Sequence, residues 1–119
     1  PRGPSQGLIP VSLPVIVLRE AERDLEDIVD FIADHDSAEN ARHILQSLDD
    51  VIRRLANLPS RGNISKELRD LGLTQFREAH YKPYRIIYRV REDAVVVHCI
   101  LDGRRDMQSL LRHRLLKSP

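Results

Sequence analysis

The tract from residue 76 to residue 106, FREAHYKPYRIIYRVREDAVVVHCILDGRRD, concentrates the side chains capable of chemistry. Tyr84–Val90 is β-branched and aromatic, and side chains alternate along a strand. Arg85, Ile87, Arg89 and Arg91 therefore share one face, and Tyr84, Ile86, Tyr88 and Val90 the other. Arg77 stands on a shorter run just before, and Arg104 and Arg105 follow Gly103 at the end of the next apolar run. Each guanidinium offers a planar, permanently charged fork of donors suited to phosphate or carboxylate. Arg77, Arg85, Arg89, Arg104 and Arg105 thus read as one target-binding face. The same pattern also describes the solvated outer face of a half-buried sheet, and both readings stay open.

Other reactive residue types are few. Cys99 is the only cysteine, which excludes an internal disulfide and a cysteine-based zinc site, and its apolar neighbours predict an inert buried thiol. Glu20, Glu22, Asp24, Glu26, Asp27, Asp30 and Asp34 crowd one helix, but they fall all round its polar arc, which predicts a solvated face and no metal site. Two histidines lie in the strand tract. His98 alternates with Val97 and Cys99 and is expected to face with Val96 and Ile100. His80 precedes the Lys82-Pro83 step and is the better placed of the two to titrate usefully. His35 and His43 fall on polar positions and are expected at the surface.

These side chains need a scaffold. Phe76–His80, Tyr84–Val90 and Ala94–Leu101 predict three consecutive strands, the last two a hairpin across Arg91-Glu92-Asp93. Residues 14–18, PVIVL, predict a short strand joining the same sheet. Leu18, Ala21, Leu25, Ile28, Val29 and Ile32 recur at three-and-four spacing, which predicts a helix over 20–34. Ala41, Ile44, Leu45, Leu48, Val51, Ile52, Leu55 and Leu58 do the same for a second over 37–57. Asp36 and Glu39 suggest a capping box at its start, and Pro59 its end. The short link between the helices predicts antiparallel packing.

Residues 60–73 form one long connection with a single helical turn near 66–71, where Arg61, Lys66 and Arg69 add positive charge. A last helix over 106–116 would place Met107, Leu110, Leu111 and Leu115 on one side and Arg112, Arg114 and Lys117 on the other. The fold class is thus α+β in the order β-α-α-β-β-β-(α). The helical hairpin covers one face of a mainly antiparallel sheet through Tyr84, Ile86 and Tyr88, and the arginine face is left open.

The 119 residues suit one domain, over residues 14–117. Residues 1–13, PRGPSQGLIPVSL, rich in Pro, Gly and Ser, read as a flexible or expression-derived arm. The net charge of +1 hides an asymmetry. Residues 1–71 carry 9 basic and 13 acidic side chains, net −4, whereas residues 72–119 carry 10 and 5, net +5. The basic half is the one that could meet a polyanion or an acidic protein. No apolar run approaches the roughly 18 residues of a membrane span. A cytoplasmic protein without membrane attachment is expected.

The order of elements, the acidic LREAERDLEDIVDFIA start, the Leu58-Pro59 break, and PYRIIYRV followed by VVVHCILDGRRDMQSLL resemble the RelE/ParE superfamily. These are toxins of bacterial type II toxin–antitoxin systems. The resemblance spans about Pro14 to Leu116. It implies a cognate antitoxin as partner, wrapping the basic half with an acidic or amphipathic segment, in a homodimer or a heterotetramer with antitoxin, and no cofactor.

Two branches imply different targets. The ParE-like branch, which the HYKPYRIIYRV run and the long helical hairpin favour, implies poisoning of DNA gyrase. The RelE-like branch implies messenger-RNA cleavage on the ribosome. Its strand-start arginine matches Arg85, its second arginine matches Arg105 with Arg104 beside it, and Arg77 lies near the first of its two lysines. The second lysine falls at Glu78 or Ala79, and its late tyrosine falls at Leu111. Metal-free RNA cleavage needs groups that move protons as well as cations, and arginine serves only the second need. Arg85, Arg105, Arg77 and His80 are the catalytic candidates under that reading, in which the chain is an enzyme. A third reading is a nucleic-acid-binding module without chemistry.

Overall fold

The computed structural model describes residues 12–57 and 59–116. The expected arm over 1–13, except its last two residues, and the expected roles of Leu58, of the Arg61 side chain and of Lys117 lie outside the described residues. In chain order the elements are β1 (Val15–Val17), α1 (Arg19–His35), α2 (Ala38–Arg54), a 3-10 turn (Pro59–Arg61), α3 (Lys66–Asp70), β2 (Phe76–Tyr81), β3 (Tyr84–Val90), β4 (Val95–Asp102) and α4 (Met107–Leu115). The four strands make one sheet in the order β1-β4-β3-β2. β1 runs parallel to β4, and the other pairings are antiparallel.

The helices form where the apolar spacing predicts them, with adjusted ends. Ser37, not Asp36, caps α2, because its hydroxyl accepts from Asn40 N–H at 2.9 Å. Asp36 instead accepts from the Asn40 side chain at 2.7 Å. At the far end the backbone tightens, with Leu55, Ala56 and Asn57 N–H bonding the carbonyls three residues back, so the α-helix stops at Arg54.

Ala21, Leu48, Ile52 and Leu55 pack on Tyr84, Ile86 and Tyr88, as the alternation predicts, and on Val95, Val97 and Ile100. Full burial of one such side chain contributes about 1.5–3 kcal/mol.

The opposite face is not the open surface expected. Leu68 of α3 and Met107 and Leu111 of α4 cover Phe76, Ile87, Cys99 and Leu101 there, forming a second core. The connection and the final helix are too short to show which face they choose by periodicity; their apolar sides choose it on folding.

A bulge in β4 corrects a second expectation. Ile87 pairs with Cys99 but Tyr88 pairs with Val97, so His98 is an extra residue. One inserted residue switches the facing of everything beyond it. Val95, Val97 and Ile100 consequently meet the helical hairpin, while Cys99 and Leu101 meet the second core. His98 therefore does not face with Ile100. Its ring stands edge-on to Phe76 at 4.9 Å on the other side of the sheet.

Asp24 likewise leaves the solvated arc. It accepts from Ile100 N–H at 3.0 Å, beyond the reach of three-residue β1, and takes a two-pronged contact from Arg114. Among the described residues no helix is long and apolar enough to cross a membrane.

Candidate functional site

Arg85 is the most heavily engaged of the expected site residues. The two-residue link Lys82-Pro83 sets the β2–β3 register, which puts His80 opposite Arg85 and Glu78 on the diagonal, all three on one face. Arg85 Nε and Nη2 donate to the two carboxylate oxygens of Glu78 at 2.7 and 2.6 Å. Its other edge meets Glu67, from α3, at 3.3 and 3.0 Å. The guanidinium is thus forked on both sides by carboxylates, in a pocket that leaves its side chain 16% exposed.

The electrostatics follow from this enclosure. Burial pushes the Glu78 carboxyl up, but hydrogen bonds from Arg85, Ser65 and His80 outweigh it and leave its pKa below the ordinary value. Bonding to Arg85 lowers that of Glu67 as well. The bond to Glu78 raises that of Arg85 further, so the cation is permanent. His80 Nε2 lies 3.0 Å from Glu78 Oε1, and the imidazole is half exposed at the lip. A cleft of ≈ 560 Å³ opens here, lined among others by Lys66, Lys82, His80, Arg85 and Arg104.

Of the other expected arginines, only Arg104 lines the same cleft as Arg85. Arg77 is paired with Tyr88, so it lies on the hairpin face and not beside Arg85. It donates to Gly62 O at 2.8 Å. Arg104 grips Asp102 at 3.0 and 2.7 Å and is largely exposed. Arg105 is exposed and lines a separate ≈ 620 Å³ groove beside α1, with Phe31 and Asp36.

Arg89 shares the Arg85 face, but its register partners are Phe76 and Val96, and its Nε is buried without a hydrogen-bond partner. His98 Nε2 is likewise buried without a partner, and burial, then Arg89, lowers the His98 pKa. The five arginines therefore do not form one patch. Among the described residues no group of three or more His, Cys, Asp or Glu side chains converges to hold a metal ion.

Sequence reasoning missed Glu67 and Glu78. The signal for Glu78 was present: a carboxylate two residues before His80, on a strand whose short link to the next sets the register. Glu67 had no such signal, because only the packing of α3 on the second core brings it within reach.

The fold, a helical hairpin on a four-stranded sheet, has known relatives. A family model described as the ParE toxin of type II toxin-antitoxin system, parDE, matches residues 15–107. Toxin ParE3 of Caulobacter vibrioides is 30% identical over 97 residues, spanning 82% of this chain and 93% of that protein. The solved chromosomal ParDE toxin–antitoxin system from P. aeruginosa superposes with a TM-score of 0.65 at 18% identity, over 76% of this chain and 96% of that one. The toxin–antitoxin complex RelBE2 from Mycobacterium tuberculosis does so with a TM-score of 0.58 at 21% identity, over 77% and 92%. At such identities these two likenesses speak for the fold alone. On the family match, the chain belongs to the ParE toxins of type II toxin–antitoxin systems.

Proposed function

We propose that this toxin arrests growth in the cytoplasm by binding and poisoning DNA gyrase, and that a cognate antitoxin neutralises it. The observation that carries the choice of target is the closure of Arg85 by Glu67 and Glu78. A phosphate in transfer needs an arginine fork aimed at it, and here both edges of the fork are already bonded to carboxylates. The two carboxylates also leave this trio with a net negative charge, which repels a phosphodiester. A protein target needs no such fork.

A paired assay tests the reading. Purified toxin is added to gyrase supercoiling and cleavage-complex reactions, and in parallel to messenger RNA on programmed ribosomes. Gyrase inhibition without RNA cleavage is expected, and antitoxin should abolish it. RNA cleavage alone would overturn the proposal and redirect attention to His80, the half-exposed imidazole beside Glu78.

A further inference from the structure

Phe31 is the most exposed large apolar side chain among the described residues, at 61%, and it belongs to neither core. A lone exposed apolar residue is ordinary. Phe31 differs in being held. The His35 ring, one turn further on, stacks on it at a centroid distance of 4.0 Å and 18° from parallel. His35 Nδ1 also donates to Phe31 O at 2.9 Å. The aromatic ring is thus fixed in a position that neither core requires. A side chain ordered in advance loses little rotamer freedom when a partner covers it.

Phe31 stands on the helical wall of the ≈ 620 Å³ groove. Asp27, one turn before it on the same wall, makes no hydrogen bond or ion pair among the described residues. Asp36, further along that wall, is bonded to the neutral Asn40 amide. The opposite wall comes from the end of β4 and the turn beyond it. There Arg104 is engaged by Asp102, whereas Arg105 is exposed and its side chain makes no hydrogen bond or ion pair among the described residues. Asp27, Asp36 and Asp102 against Arg104 and Arg105 make the groove net −1. It is dipolar as well, with uncompensated carboxylates on the helical wall and one uncompensated guanidinium across from them.

We propose that this groove is where the toxin grips its protein target. The segment that fits offers an arginine to the helical wall and a carboxylate to Arg105, with apolar atoms laid over Ile28 and Tyr84 between them. Phe31 and Asp27 together seat the arginine, whose guanidinium stacks on the exposed ring and pairs with the carboxylate. Arginine suits the seat better than lysine, because a flat and weakly hydrated cation covers an aromatic ring while its edge still reaches an acid. Opposite charges on the two walls also set the direction in which the segment lies, since the reversed segment brings like charges together. The proposal rests on the reading of gyrase as the target, and it adds the surface and the contact chemistry.

The groove is tested by titrating gyrase supercoiling with Phe31→Ala, Phe31→Leu, Asp27→Arg and Arg105→Glu. Leu45→Ala is the control: Leu45 is also exposed, but lies with Leu25 and Val29 in a different groove. All the substituted side chains are exposed, so melting temperatures should stay at the parental value. Phe31→Ala should need about thirtyfold more toxin for half-inhibition, the loss of one interface anchor. Phe31→Leu should need about threefold more, the loss of the ring–cation attraction alone. Asp27→Arg and Arg105→Glu should each weaken inhibition by about tenfold or more, because each places like charges together. Leu45→Ala should match the parent.

Parental inhibition by folded Phe31→Ala and Arg105→Glu proteins overturns the groove, and so does an equal loss in Leu45→Ala. Variants that lose antitoxin binding while inhibiting gyrase as the parent does assign the groove to the antitoxin, which also overturns the proposal. If the parental toxin leaves gyrase untouched, the choice of target fails instead. Growth arrest by the same variants then judges the groove, and arrest at the parental expression level overturns it.

Discussion

Arg114 of α4 donates both terminal nitrogens to Asp24 of α1, at 3.0 and 2.9 Å, with both side chains less than one-fifth exposed. The pair ties the last helix to the first across the end of β4, and Asp24 also holds the Ile100 N–H. Asp24→Ala would leave a largely buried guanidinium unpaired and an N–H unsatisfied. A loss of about 3 kcal/mol in urea unfolding is expected. An Asp24→Ala protein as stable as the parent would mean that water replaces the contact at no cost.

The closure of Arg85 changes what its substitution should do. Arg85→Ala strands Glu78, whose side chain has no exposure, so stability should fall by about 3 kcal/mol or more. Arg85→Lys keeps the charge but cannot span two carboxylates, and it should lie between the two. Growth inhibition by these variants should track their melting temperatures. A folded Arg85→Lys protein of parental stability with no toxicity would instead mark Arg85 as a target contact.

The same trio sets an acid limit. Glu67 and Glu78 have lowered pKa values in the folded chain, against an ordinary value of 4.5. The unfolded chain therefore binds more protons as pH falls through that range. Their contribution to stability is complete above the ordinary value and is lost as pH drops toward the folded values. Urea midpoints measured from neutral pH downward should decline from near 4.5, and the decline should be shallower in Glu67→Gln, which removes one of the two titrations.

Burial pushes the Cys99 thiol up to about 12, so it is neither ionised nor accessible at neutral pH. A maleimide should label the native protein negligibly at pH 7.5 and label it rapidly in denaturant. Rapid native labelling would show that the α4 cover over the second core opens readily.

Much of the fold was legible because it rests on local periodicity. Three-and-four spacing in α1 and α2 and two-residue alternation in β3 state which side of each element is apolar. Burial then dictates that Ala21, Leu48, Tyr84, Ile86 and Tyr88 meet. The site was far less legible. One strand's alternation correctly put Arg85 and Arg89 on the same face, but whether a charge on that face is free depends on what folds over it.

Position along the chain by itself determined a β-α-α-β-β-β-α order with a helical turn near 66–71 that the structure shows as α3, a buried inert cysteine, and Arg85 and Arg89 on one face of β3. Only the tertiary structure decided that α3 and α4 close the second face, that a bulge at His98 turns Ile100 inward, and that Glu67 and Glu78 neutralise Arg85. The physical reason is range: periodicity reports each element's own solvent preference, whereas an ion pair between residues 67 and 85, or 24 and 114, exists only once packing has brought distant segments together.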